Sequence, residues 1–308
     1  MKSLYKISNK YKLVQKEYKE IIYLCREHSK VNPVNALLPA KYFFHMNEIS
    51  ENKAPTIEQT SVLLIDIASA LMSSGAHTMR IIQNVTRMAE SFGYELDLSV
   101  FQLSIMMTII SKDNPDKLLT QIKKIKPLKL NFTIVSELSA LSWDTYDKKL
   151  PFEEVRANFQ QVVSQKRMNS WLVLLLVACA NASFCGLFKG DFTAMGFVFF
   201  ATLAGFSLRQ EMIKKHINHL VVFTSSAFVA SLLAGMGYVL HIGHTPEIAL
   251  ASSVLFLIPG VPLINSILDM LQGHILTGIA RLVNAFSLIV CIAIGLFSAM
   301  LILGLEKL

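Results

Sequence analysis

Within one apolar stretch the chain reads Ile258-Pro-Gly-Val-Pro-Leu-Ile-Asn265, followed by Asp269, Gly273 and Thr277-Gly-Ile-Ala-Arg281. Pro259 removes a backbone donor and clashes with the preceding turn, and Gly260 relaxes the chain further. Pro262 then suits the first turn of a new half-helix. A helix interrupted in this way offers free N–H groups and the positive end of its dipole, which bind a carboxylate without a buried cation. A simple proline kink is the plainer reading of the same residues. Counted along the stretch, Pro259 falls about 16 Å deep, near the middle of a bilayer.

Asn265 and Asp269 stand four apart on one face of the second half, while Thr277, Arg281 and Asn284 share a face at the start of the next apolar segment. Ionisable groups at membrane depth are costly and face a bundle interior or water. Asp269 and Arg281 therefore read as a pair gating a path, or as two interfacial charges in a short loop. Asn181, midway along an earlier apolar run, reads as a lining residue or a bridge between helices. The candidate substrate-binding residues are thus Pro259, Gly260, Pro262, Asn265 and Asn181, and the candidate gating or coupling residues are Asp269, Arg281 and Asn284. Arg209 and Glu211 read as interfacial anchors.

No other grouping is built for catalysis. Ser73, Ser74 and His77 could be arranged as nucleophile and base, but they read better as a polar helix break. There is no phosphate loop, G-x-S-x-G, H-E-x-x-H or Cys-x-x-Cys. An enzyme is not expected, nor a cofactor, nor direct use of ATP. Cys25, Cys179, Cys185 and Cys291 lack metal-ligand spacing, so no metal is expected. The run Lys123, Lys124, Lys126 and Lys129 lacks interleaved aromatics, which argues against nucleic acid despite a net charge of +7.

The elements that must hold these residues follow from composition. Hydrophobic residues make up 53% of the 308 and charged residues 17%, against roughly 25% charged in a soluble domain. The two halves are unlike: 23 basic and 17 acidic residues precede Met168, and 6 and 5 follow. Five apolar stretches are long enough to cross a bilayer: Trp171–Phe188, Phe192–Leu208, Leu220–Leu240, Ile248–Leu268 and Leu282–Leu305. Lys and Arg gather on alternate flanks, which predicts a cytoplasmic N-terminal domain and a C-terminus outside. Ala227, Ser231 and Gly235 form a small-residue face on the third span, fit to pack within the chain or against another.

Residues 1–55 read as a basic, partly helical extension with no signal peptide, residues 56–167 as a cytoplasmic α+β domain, and residues 168–308 as the five-helix transmembrane domain. In the middle segment Ile82, Val85, Ala89 and Phe92 mark a helix face stopped by Gly93. Alternation at Leu96, Leu98, Val100 and again at Leu103, Ile105, Met107, Ile109 predicts a β-hairpin. Leu118–Ile125 fits strand or helix. Helices return at Asn131–Ser142 and Pro151–Lys166, with Pro151 at a first helical position. The fold class is a mainly α-helical membrane protein, five transmembrane helices preceded by a small cytoplasmic α+β domain.

Two stretches resemble the threonine/serine exporter family of bacterial membrane proteins. One is Leu71-Met-Ser-Ser-Gly-Ala-His-Thr-Met-Arg80, with Arg87-Met-Ala and Phe92-Gly-Tyr94 after it; the other is Ile258 to Arg281 as quoted. The resemblance runs from about residue 56 to 305. It implies a secondary exporter of small carboxylates, either threonine- and serine-like amino acids or dicarboxylates such as succinate, in the bacterial inner membrane. It further implies that this chain is the longer, five-span subunit of a split type, completed by a second short multi-span membrane subunit; a homo-oligomer would also resolve the odd span number. Asn284 stands where family members often carry an acidic residue. The alternative function is a membrane-anchored regulatory or scaffold protein acting through its cytoplasmic domain.

Overall fold

Thr56 opens the first helix with a reciprocal cap: its hydroxyl accepts from the Gln59 N–H, and the Gln59 side chain accepts from the Thr56 N–H. The computed structural model describes residues 55–125, 128–166 and 168–305. The basic extension therefore lies outside the described residues except for Pro55. From Thr56 the order is α1 (Ile57–Ser73), α2 (Thr78–Ser91), β1 (Tyr94–Val100), β2 (Ser104–Ser111), β3 (Leu118–Lys124), α3 (Phe132–Lys148) and α4 (Phe152–Ser164). The apolar half follows as α5 (Ser170–Leu187), α6 (Phe192–Lys214), α7 (His219–Val239), α8 (Pro246–Ser252), α9 (Gly260–Leu271) and α10 (Ile275–Ile302).

The hairpin read from alternation is present. β1 and β2 pair antiparallel, with Leu98 opposite Met107 and Leu96 opposite Ile109. The ambiguous segment is β3, which pairs antiparallel with β2 to give a sheet ordered β1-β2-β3. Ile105, Met107 and Ile109 point inward onto Leu64, Ile67 and Leu71 of α1, Ile81, Val85 and Met88 of α2, and Leu138 and Val155 of α3 and α4. Each such side chain contributes about 1.5–3 kcal/mol relative to an exposed position. Ile122 of β3 is exposed, and Lys123 pairs with Asp66 of α1. Charged lysines on an edge strand discourage further pairing.

Among the described residues four helices (α5, α6, α7 and α10) are long and apolar enough to cross a membrane, and the stretch from α8 to α9, bent by 61° at its break, is apolar enough to be a fifth, as one broken span or as a re-entrant loop. The break is where Pro259 and Gly260 predict it: α8 unwinds into a 3-10 turn at Leu255–Leu257, and α9 starts at Gly260. Ala227, Ser231 and Gly235 are buried within the chain; a Cβ on Gly295 of α10 would stand 2.4 Å from the Thr224 carbonyl of α7. At the far end, Asp191 ties two loops together. Its carboxylate accepts the N–H of His244 and of Ala194 at 2.8 Å each, and these bonds hold its pKa well below the usual carboxylate range.

Several boundaries differ from the sequence reading, and the largest shifts concern the candidate residues. α6 runs on past Leu208 to Lys214, so Arg209 and Glu211 lie inside the helix rather than beyond its end. α10 begins at Ile275, seven residues before Leu282, which places Arg281 inside it. Hydropathy stops at the first charge, whereas a helix continues wherever its backbone and partners allow. α3 extends to Lys148, and Pro151 is the N-cap of α4, with ψ 150° still extended.

Candidate functional site

α2 begins without a cap of its own. His77 occupies the N-cap position and its side chain caps nothing, so the first N–H groups of the helix need an acceptor from elsewhere. Asp269 of α9 supplies it: the Thr78 N–H donates to Asp269 Oδ1 at 2.8 Å across 191 positions of sequence. The other oxygen, Oδ2, lies 2.7 Å from Arg281 Nη1 of α10, and the Asp269 side chain is fully buried. A carboxylate at a helix N-terminus is favoured by the dipole, and the arginine offsets its remaining charge.

Two more side chains of the apolar half hold backbone carbonyls of the α+β part. Asn265 donates from Nδ2 to the Gly75 carbonyl at 2.9 Å, and Thr277 donates from Oγ1 to the Val100 carbonyl at 2.6 Å. Gly75 takes φ +101°, and a Cβ there would stand 2.6 Å from Leu130 Cδ2. The loop carrying Leu130 is itself fixed, because the Lys129 and Asn131 N–H groups donate to the Ser73 and Ser74 carbonyls. α9 and the first turns of α10 are therefore fastened to the α1–α2 turn and the hairpin end by three side-chain-to-backbone bonds. At this junction burial lowers the His77 pKa, opposed by the nearby Asp269 charge. His77 Nδ1, Gln272 Oε1 and His274 Nε2 are buried with no hydrogen-bond partner among the described residues.

The other predicted residues fall as follows. Pro259 is the N-cap of α9, and Gly260 uses its N–H on the Ile258 carbonyl at 2.9 Å. Pro262 has no N–H, which leaves Val261 as the first-turn residue with a free one. Val261 already lies beside Gly75, so the break sits toward the α+β end of the bundle rather than midway along it. Asn181 is buried and donates to Thr202 Oγ1 and to the Ser252 carbonyl, bridging α5 to α6 and α8. It also lines a groove of about 530 Å³ with Arg209, Phe206 and Phe256. Asn284 is exposed on α10, one turn from Arg281.

Sequence reasoning grouped Asn265 with Asp269 and Thr277 with Arg281, and the structure brings all four to one junction. It missed the groups they meet, because backbone N–H and carbonyls leave no trace in residue type. The one available signal was a helix starting at Thr78 with a histidine where a capping residue belongs.

A family profile described as "Putative threonine/serine exporter" (ThrE) matches residues 62–303. The chain is 32% identical over 258 residues to "Probable succinate transporter subunit YjjP" of Klebsiella aerogenes, covering 82% of this chain and 98% of that protein. It is 31% identical to the protein of the same name in Escherichia coli K12, covering 79% and 94%. It is 22% identical to "Probable threonine/serine exporter" of Mycobacterium tuberculosis, covering 76% of this chain but 44% of that longer protein. No solved structure matches.

Proposed function

The chain belongs to the threonine/serine exporter family, and from that premise we propose that it is one subunit of a secondary exporter moving small carboxylates, succinate foremost, out of a bacterial cytoplasm. The broken crossing at Pro259 carries the reading: a discontinuous helix inside an apolar bundle provides unpaired backbone and a shift of axis where a solute can pass. Two relatives above 30% identity are named as succinate transporter subunits, which supports a dicarboxylate. The mycobacterial relative is more than twice the matched length, which supports a second membrane subunit supplying what this chain lacks.

In this mechanism the α+β part is cytoplasmic. Pro259, Gly260, Pro262 and Asn265 form the inner end of the path, and Asn181 lines it further in. Asp269 and Arg281 act as a latch: while paired and holding the start of α2, they keep α9 seated on the cytoplasmic part; release of the pair frees α9 to swing about the break. Asn284, on the same side of α10 one turn further on, faces the partner subunit or the path. The proton gradient drives the cycle.

Inside-out vesicles carrying this chain with its candidate partner, and each chain alone, test this with labelled succinate, threonine and serine. Uptake that needs both chains and an imposed pH gradient is expected. Inserted, folded protein that carries none of the three would refute the reading.

A further inference from the structure

The groove beside the break holds one charged side chain, Arg209, among Phe184, Phe206, Phe256, Ile258 and the amide of Asn181. Arg209 makes no hydrogen bond and no ion pair among the described residues, and its Nε is fully buried. Its company is two ring faces, Phe223 at 5.0 Å and Phe206 at 5.6 Å from the guanidinium carbon. Glu211, two residues further along the same helix, is engaged with Lys214 at 2.6 Å. Ring faces offset only part of what a desolvated guanidinium loses. With no protein anion beside it among the described residues, the guanidinium is open to an anionic ligand in the groove that it lines.

We infer that Arg209 is the carboxylate anchor of this groove, binding one end of the transported solute through its planar fork of N–H donors. The inference rests on the exporter reading and adds the residue that selects for charge. Arginine suits the task because its fork matches both carboxylate oxygens at once, which a lysine ammonium cannot do. Asn181 sets what stands at the other end. The Ser252 carbonyl can only accept, so the Asn181 amide nitrogen faces it and the neighbouring Thr202 hydroxyl. That leaves Oδ1 as an acceptor for a donor on the solute: a hydroxyl, an ammonium or a protonated carboxyl. The ligand class is a short carboxylate with a hydrogen-bond donor at its far end, a requirement that succinate meets as its singly protonated monoanion. A lipid phosphate offers the same anionic oxygens to Arg209, and the lipid arm of the test separates that source from the solute.

The test uses this chain with its partner subunit in vesicles of zwitterionic lipid, with labelled succinate as probe. Arg209→Lys should raise KM at least tenfold with little change in maximal rate, and Arg209→Met should cut uptake at least fiftyfold. Lys189→Gln, an exposed cation in the loop before α6, should match wild type. A second readout does not depend on an Arg209 variant folding. With the natural cysteines replaced, Phe184→Cys should react with a thiol reagent more slowly in succinate and unchanged in its dimethyl ester. Wild-type uptake that survives Arg209→Met overturns the inference alone. Equal protection by the diester, or protection that follows added anionic lipid instead of succinate, also overturns it. A wild-type protein that carries no carboxylate sinks the exporter reading and this site with it.

Discussion

Asp269 serves two partners with its two oxygens, and the energetics of each can be separated by substitution. Asp269→Asn keeps an acceptor for the Thr78 N–H but leaves the Arg281 guanidinium, itself mostly buried, without its counter-charge. Removing one member of a buried pair costs about 3–5 kcal/mol, because the survivor is stranded. Arg281→Met should cost a similar amount by stranding the carboxylate. The double variant Asp269→Asn with Arg281→Met should recover part of the loss, since no unpaired charge remains. Denaturant unfolding of the purified protein measures all three, and strict additivity would show that the two residues do not act as a pair.

Among the elements, α9 is held by close approach as well as by polar contacts. A Cβ on Gly278 of α10 would stand 2.7 Å from the Ser266 carbonyl and 3.0 Å from the Met270 nitrogen of α9. Backbone cannot yield as a side-chain tip can, so Gly278→Ala should force the helices apart and destabilise by about 1–3 kcal/mol. Gly260→Ala, with nothing within 4 Å, is the control and should change stability little. Equal melting temperatures for the two variants would contradict the packing argument. The same elements show where sequence was readable. Alternation exposed the β1–β2 hairpin because one face is buried, whereas β3 stayed ambiguous because Ile122 is exposed and lysines occupy its end. The break at Pro259 was legible because proline acts on its own helix. The start of α10 was not, because Thr277, Gly278 and Arg281 face the α+β part and α9, so hydropathy gives no reason to extend the helix that far.

At the scale of the whole molecule, the junction makes stability depend on pH through His77. Burial lowers its pKa in the folded protein below the ordinary value near 6.5, so the unfolded chain takes up the proton first. The folded state is therefore at full stability above that value and loses ground as pH falls through and below it. His77→Gln should remove this slope: between pH 7.5 and 5.5 the wild type should lose more melting temperature than the variant, and parallel curves would refute the assignment. Asp191 adds nothing in this window, because its carboxyl is ionised throughout it in both states.

The acceptor that Asp269 provides also fixes an order of events during synthesis. Thr78 leaves the ribosome 191 residues before the side chain that caps its helix. Until then the growing chain carries an α2 whose first turn is answered only by water, beside Gly75 and Val100 carbonyls that also await partners. Closure of that seam is a record that α9 and the start of α10 have been made and correctly placed. A nascent protein stalled before residue 269 should thus be open to proteolysis at the α1–α2 turn, and a finished one protected.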